Sequence, residues 1–279
     1  MKLAMLPLAL SLLLTLTGCG DADDAARTAQ STPAADATTG ATGADPAALA
    51  AQLDQIYADY WEAWLKLNPL RATMVGDPRY NDQMPNTMSA EFRAQEQAFY
   101  EHWLERVKAV DASVLEGQAR LSYEIFRREL ESELEGARFP RWMQPVNQFR
   151  SMASMAAQLG AGTGAQPFKT VQDYDNWRNR VAAMPAIFDT TIANMRERMS
   201  KGVVQPKVLM AKVLRQLDEL FTATPEDSVY WGPITRMPDD LPEADKQRLT
   251  EAWRGMINDE LFPALTRLRS FISDEYLPA

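Results

Sequence analysis

Histidine and cysteine are almost absent from this chain: one of each, His102 and Cys19, stands among 279 residues. A catalytic zinc takes three protein ligands, commonly including two histidines, and a helical zinc peptidase carries H-E-x-x-H. Neither can be assembled around His102 alone. A carboxylate-bridged di-iron site wants glutamate three residues before its histidine, and that position holds Phe99. With no second thiol, disulfides, cysteine redox chemistry and Cys-rich metal sites are excluded. His102 therefore reads as a surface or helix-packing residue, and no cofactor is expected from these residues.

Positive charge is short as well. Lys+Arg 29 against Asp+Glu 38 gives a net charge of -9, so a polyanion is repelled, no basic stripe offsets the field, and nucleic acid is not expected as a partner. No segment alternates with period two, which excludes a sheet as the organising element. No G-x-S-x-G nucleophile motif occurs. Gly160-Ala161-Gly162-Thr163-Gly164 lacks the lysine and preceding strand of a phosphate loop, and reads as a flexible connection. The acid pairs Glu129 and Glu133, and Asp239 and Asp240, sit among many charges on faces expected to be solvated.

What is present begins with an export signal. Met1-Lys2 carries one charge, and Leu3 to Leu16 is apolar apart from Pro7, Ser11 and Thr15, shorter than the about 20 residues a transmembrane helix needs. Leu16-Thr17-Gly18-Cys19 resembles the lipobox of bacterial lipoproteins, which implies cleavage before Cys19 and multiple acylation on it. Residues 1–18 are thus expected to be a lipoprotein signal peptide. Residues 19–45, rich in Ala, Asp, Thr and Gly and free of aromatics, are expected to be a disordered tether of about 30 Å reach. The expected location is the bacterial cell envelope, on the periplasmic side of the inner or outer membrane, with the membrane as partner through the lipid at Cys19.

Residues 46–279 predict an all-α domain, a multi-helix irregular bundle. Asp45-Pro46 starts a helix with Leu49, Leu53, Ile56, Tyr60, Trp64 and Leu67 on one face, stopped at Asn68-Pro69. A loop follows from Gly76 to Pro85, and a second helix starts near Ser89. Ser113-Val114-Leu115-Glu116 has the capping-box pattern for a third. Residues 138–149 predict an irregular segment, with Met152 and Met155 as core filler after it. Thr170 opens the next helix, Pro185 begins another that ends at Gly202, Pro206 starts a further one, and Thr224-Pro225 repeats the cap-plus-proline device. The last helix runs from Pro242 with a bend expected at Pro263. Its stripe of Trp253, Ile257, Leu261, Leu265, Leu268 and Ile272, with Phe271 beside it, is too broad for one neighbour, so an exposed apolar patch is expected there.

Asn68-Pro69-Leu70-Arg71-Ala72-Thr73, followed by Gly76-Asp77, Arg79-Tyr80 and Asp82, resembles the early motif of the DUF885 family. Phe126 in a Tyr-Glu-Ile-Phe run, Asp173-Tyr174 with Trp177 and Arg180, Met195-Arg196, Pro206, Phe262-Pro263-Ala264, Leu268 and Tyr276 to Ala279 follow in the order of that family. The resemblance spans residues 46 to 279. It implies an all-helical protein similar to zinc metallopeptidases, whose H-E-x-x-G-H type motif lies in a C-terminal half that this chain does not reach. Zinc is therefore expected only with that missing half, and a peptide substrate only in a complete protein. Gly76, Asp77, Arg79 and Asp82 are either substrate-channel residues or a structural brace of helix ends. A non-catalytic half of a metallopeptidase-like protein and a self-sufficient helical binding lipoprotein both remain open, as does whether the chain is a fragment.

Overall fold

Asp45 accepts a hydrogen bond from the amide of Ala47 at 3.0 Å, and Pro46 needs no amide partner at a first helical position, so α1 (Pro46–Leu67) starts where both features coincide. A computed structural model describes residues 45–279. The expected signal sequence, Cys19 and the expected tether through residue 44 lie outside the described residues.

α1 stops at Asn68, whose Nδ2 donates to the Trp64 carbonyl at 3.0 Å. A short α2 (Pro69–Met74) follows, ended by Gly76 at φ +86, a left-handed conformation that side chains disfavour. α3 (Ala90–Lys108) is capped by Ser89, which accepts from the Phe92 amide at 3.1 Å. α4 (Gly117–Ala137) begins later than the capping-box pattern predicts. Ser113 donates instead to Asp111, and Gly117 enters the helix at φ +53, so the expected box is not formed.

α1, α3 and α4 enclose a small core of Leu53, Ile56, Trp103, Val107 and Leu130. Tyr60 meets Phe126 and Trp103 edge-on at 4.9 and 5.6 Å, an arrangement favoured by the aromatic quadrupoles. His102 lies exposed at the edge of Trp103, 5.3 Å between ring centres.

A larger core surrounds α6 (Val171–Ser200). This helix is continuous through Pro185, where two helices were expected. Pro185 removes one ladder bond, but Tyr174, Trp177, Val181, Met184, Ile187 and Phe188 are all fully buried around it, and that packing outweighs the lost bond. Before it comes α5 (Met152–Gly160), opened by a reciprocal Ser151–Ser154 capping box. After it come α7 (Lys207–Asp218), α8 (Gly232–Thr235), α9 (Glu243–Gly255) and α10 (Phe262–Ser270). Thr224-Pro225 yields only a single tight turn, and Thr224 donates to Asp227 rather than capping a helix amide.

Wide π-type turns at Met256–Leu261 and Phe271–Tyr276 precede and follow α10. Pro263, where a bend was expected, stands in the first turn of α10, directly after the widened ladder. Each wide turn inserts a residue and rotates the register, so the apolar stripe addresses α6 and α7 instead of a single neighbour. Trp253, Ile257, Leu261, Leu265 and Ile272 are consequently fully buried, and the exposed patch expected on the last helix does not exist. Among the described residues there is no strand, and no helix is long and apolar enough to cross a membrane.

Candidate functional site

The loop after α2 is organised by Asp77. Its carboxylate accepts the Arg79 amide at 3.0 Å and the Arg79 guanidinium at 2.6 to 3.0 Å, capping the turn Pro78–Tyr80. Arg79 reaches on to Glu62 of α1 at 2.7 Å. These hydrogen bonds hold the Asp77 carboxyl below the usual range and raise Arg79. Gly76, Arg79 and Asp82 are exposed, and none of the four residues lines either of the two hollows described below. The arrangement is that of a brace between the loop and α1.

The underside of the same loop is fixed by Arg180, which is fully buried. Its Nε donates to the Gln83 carbonyl at 3.0 Å, and Nη2 donates to Thr73 Oγ1 at 2.7 Å and the Tyr80 carbonyl at 3.0 Å. Nη1 donates to Gln166 Oε1. Thr73 donates in turn to Asn81 Oδ1 at 2.7 Å. Burial pulls the Arg180 pKa down to about 10, a shift opposed by Asp82. A buried cation without a contacting carboxylate is tolerated because carbonyl, hydroxyl and amide oxygens take up its donors. The sequence placed Arg180 only in a family signature; its role as the hub of the loop has no local pattern that could have revealed it.

On the opposite side of α2 lies a hollow of about 450 Å³ between the α1–α2 junction, the Pro85–Met88 strand of loop and the start of α5. Leu67, Leu70, Met88, Pro145, Met152 and Met155 form its walls, and Met74, Phe149, Arg71 and Arg150 stand at its rim. Met152 and Met155, expected as core filler, are partly buried and pack against the large core, and they also line this hollow. Asn194 and Asn86 fix the loop behind it, the first donating to the Met88 carbonyl at 2.9 Å and the second to Thr190 at 2.8 Å.

A second hollow of about 430 Å³ lies along α6 and the last helical run. Four of its charges are paired, Arg196 with Glu275 at 2.5 Å and Arg267 with Asp189 at 2.9 Å. The Gly160–Gly164 segment is not loose. A Cβ on Gly160 would stand 2.7 Å from Trp177 and 2.8 Å from Tyr230, so the glycine is there for close packing. Glu129, Glu133, Asp239 and Asp240 are exposed, as expected. No cluster of three or more His, Cys, Asp or Glu side chains that could hold a metal occurs among the described residues.

The fold is similar to the crystal structure of "the putative lipoprotein from Colwellia psychrerythraea", with a TM-score of 0.65 and 15% identity over 80% of this chain and 41% of that chain. At that identity the likeness is one of fold, and this chain spans less than half the length of its structural relative. Among curated proteins none matches the sequence significantly. The family profile described as "Bacterial protein of unknown function (DUF885)" matches residues 69–279, which is more than half of the sequence and includes the braced loop, Arg180 and the buried last helix, so the chain belongs to the DUF885 family.

Proposed function

We propose that this is a lipoprotein of the bacterial cell envelope, tethered to the periplasmic face of a membrane through acyl chains on Cys19, whose helical domain is a non-catalytic part of a metallopeptidase-like protein. The observation that carries the tether is the coincidence of a short apolar signal, the Leu16-Thr17-Gly18-Cys19 box and the lone cysteine. A structural relative named as a lipoprotein supports the same reading. Acyl anchoring takes more than one chain because each buried methylene contributes only about 0.8 kcal/mol. The test is metabolic labelling of the full chain with palmitate in a bacterial host. Label should enter the wild-type chain and be lost in Cys19→Ser; label in both, or in neither, would exclude the tether.

The non-catalytic reading rests on the single histidine and on the lack of a metal-binding cluster among the described residues. The hollow beside α2 favours binding as the domain's contribution, since concave, mostly apolar sites with a few polar groups are where small ligands are held. In a longer family member the same domain would present ligand to chemistry carried elsewhere. The domain's own contribution would be to hold the ligand. Zinc and peptidase assays on the full chain separate that reading from an active enzyme.

A further inference from the structure

We propose that the hollow between α2 and α5 binds a small ligand made of an apolar body and a carboxylate, with Arg71 and Arg150 meeting the carboxylate. The inference goes beyond the tether and stands whether or not Cys19 is acylated. Its volume of about 450 Å³ falls within the range of small-molecule sites, about 300–1,000 Å³.

Three observations fix the ligand's chemistry. First, no acidic side chain lines the hollow, although the chain carries 38 acids and a net charge of -9. The segment that supplies Phe149, Arg150 and the α5 wall is free of Asp and Glu from residue 136 to residue 172. Second, many surface arginines here are engaged with carboxylates, as Arg79, Arg196, Arg248, Arg254, Arg267 and Arg269 are. Arg71 and Arg150 have no such partner among the described residues, and both face one cavity. Guanidinium forks match a carboxylate in paired hydrogen bonds, so two unengaged ones at one mouth are an anion-recognising arrangement.

Third, the walls are mostly apolar and rich in methionine, and the rim exposes more apolar surface than a solvated mouth needs. Phe149 is 84% exposed and Met74 48% exposed. A free anion such as phosphate would leave that surface in water; an apolar body would cover it. Methionine adapts to irregular shapes, which suits a class of ligands better than one rigid molecule. An acyl carboxylate and the C-terminus of a short apolar peptide share this chemistry.

The test is calorimetric titration of the full chain held in amphipol, with five probes: octanoate, N-acetyl-leucyl-phenylalanine, the amides of both, and inorganic phosphate. At least one carboxylate should bind, its amide at least tenfold more weakly. Which carboxylate binds separates an acyl ligand from a peptide C-terminus. The double substitution Arg71→Gln with Arg150→Gln should weaken binding at least tenfold with unchanged thermal unfolding, since both side chains are exposed. Gln158→Trp, at an exposed position lining the same hollow, should weaken it while sparing both arginines. The proposal is overturned if neither carboxylate binds, if amides or phosphate bind as tightly, or if either the double arginine variant or Gln158→Trp binds like the wild type.

Discussion

Arg180 Nη2 donates to Thr73 Oγ1 across 2.7 Å, joining the interior of α6 to a residue 107 positions earlier in the chain. The same guanidinium holds the carbonyls of Tyr80 and Gln83, so one side chain anchors the second half of the loop that Asp77 braces from outside. That loop in turn forms the back of α2, whose other side carries Arg71 and Met74 at the hollow.

Replacing Arg180 by methionine keeps some volume but leaves buried carbonyls and Gln166 without donors. An unsatisfied buried polar group costs about 1–3 kcal/mol. With several such groups exposed to the same loss, Arg180→Met should destabilise the domain by about 3 kcal/mol or more, measured by denaturant unfolding. Hydrogen exchange should accelerate first at Gly76 to Gln83. A variant as stable as wild type would remove Arg180 from this role.

Gly160→Ala tests whether the glycine-rich segment is packed or loose. The added Cβ would lie 2.7 Å from the Trp177 ring and 2.8 Å from the Tyr230 ring, both in the large core. Overpacking of this kind costs about 1–3 kcal/mol. A lowered Tm is expected. If the segment were a flexible connection, alanine would instead be neutral or mildly stabilising through the unfolded state.

Much of the fold was legible because its cues are local. Asp45-Pro46, Ser89 and Gly202 mark helix ends through their own side chains or backbone, and Leu53, Ile56, Trp103 and Leu130 follow the helical period. Pro185 misled because a local breaker was overridden by burial on every side, a property of the tertiary fold. The last helix misled for the same reason: its stripe is broad because wide turns share it between α6 and α7. The hollow was illegible. Arg71 and Arg150 are 79 positions apart by number, and only the tertiary fold brings both to the lining of one hollow. Of the loop residues singled out from sequence, Asp77 and Arg79 are engaged with each other and with α1.

Zinc content gives a direct check on the enzymatic question. A zinc site needs about three protein ligands, and no group of three candidate ligands is assembled among the described residues. Metal analysis of the purified full chain is expected to find zinc well below one per chain, with no peptide hydrolysis. Stoichiometric zinc that survives dialysis would overturn the non-catalytic reading without touching the proposal for the hollow, whose lining contains no metal ligand cluster.

Glu96 on α3 provides a pH test of the smaller core. Burial raises its carboxyl above the ordinary carboxylate pKa, and Glu133 on α4 adds repulsion in the same direction. Tyr100, one turn along α3, is pushed up to about 12, chiefly by burial and then by Glu133 and Glu96. A carboxyl whose pKa rises on folding binds its proton more tightly in the native state, so its contribution favours folding below the unfolded-state pKa. That contribution is lost as pH climbs through the folded-state value, leaving a strained anion near neutrality. Glu96→Gln removes the charge and keeps the shape. The variant should therefore melt at a higher temperature than the wild type near neutral pH, and the difference should shrink as the solution is acidified through the carboxylate range. Melting curves across that range decide the matter: a difference that is constant with pH, or of the opposite sign at neutrality, would show that Glu96 is not strained in the folded state.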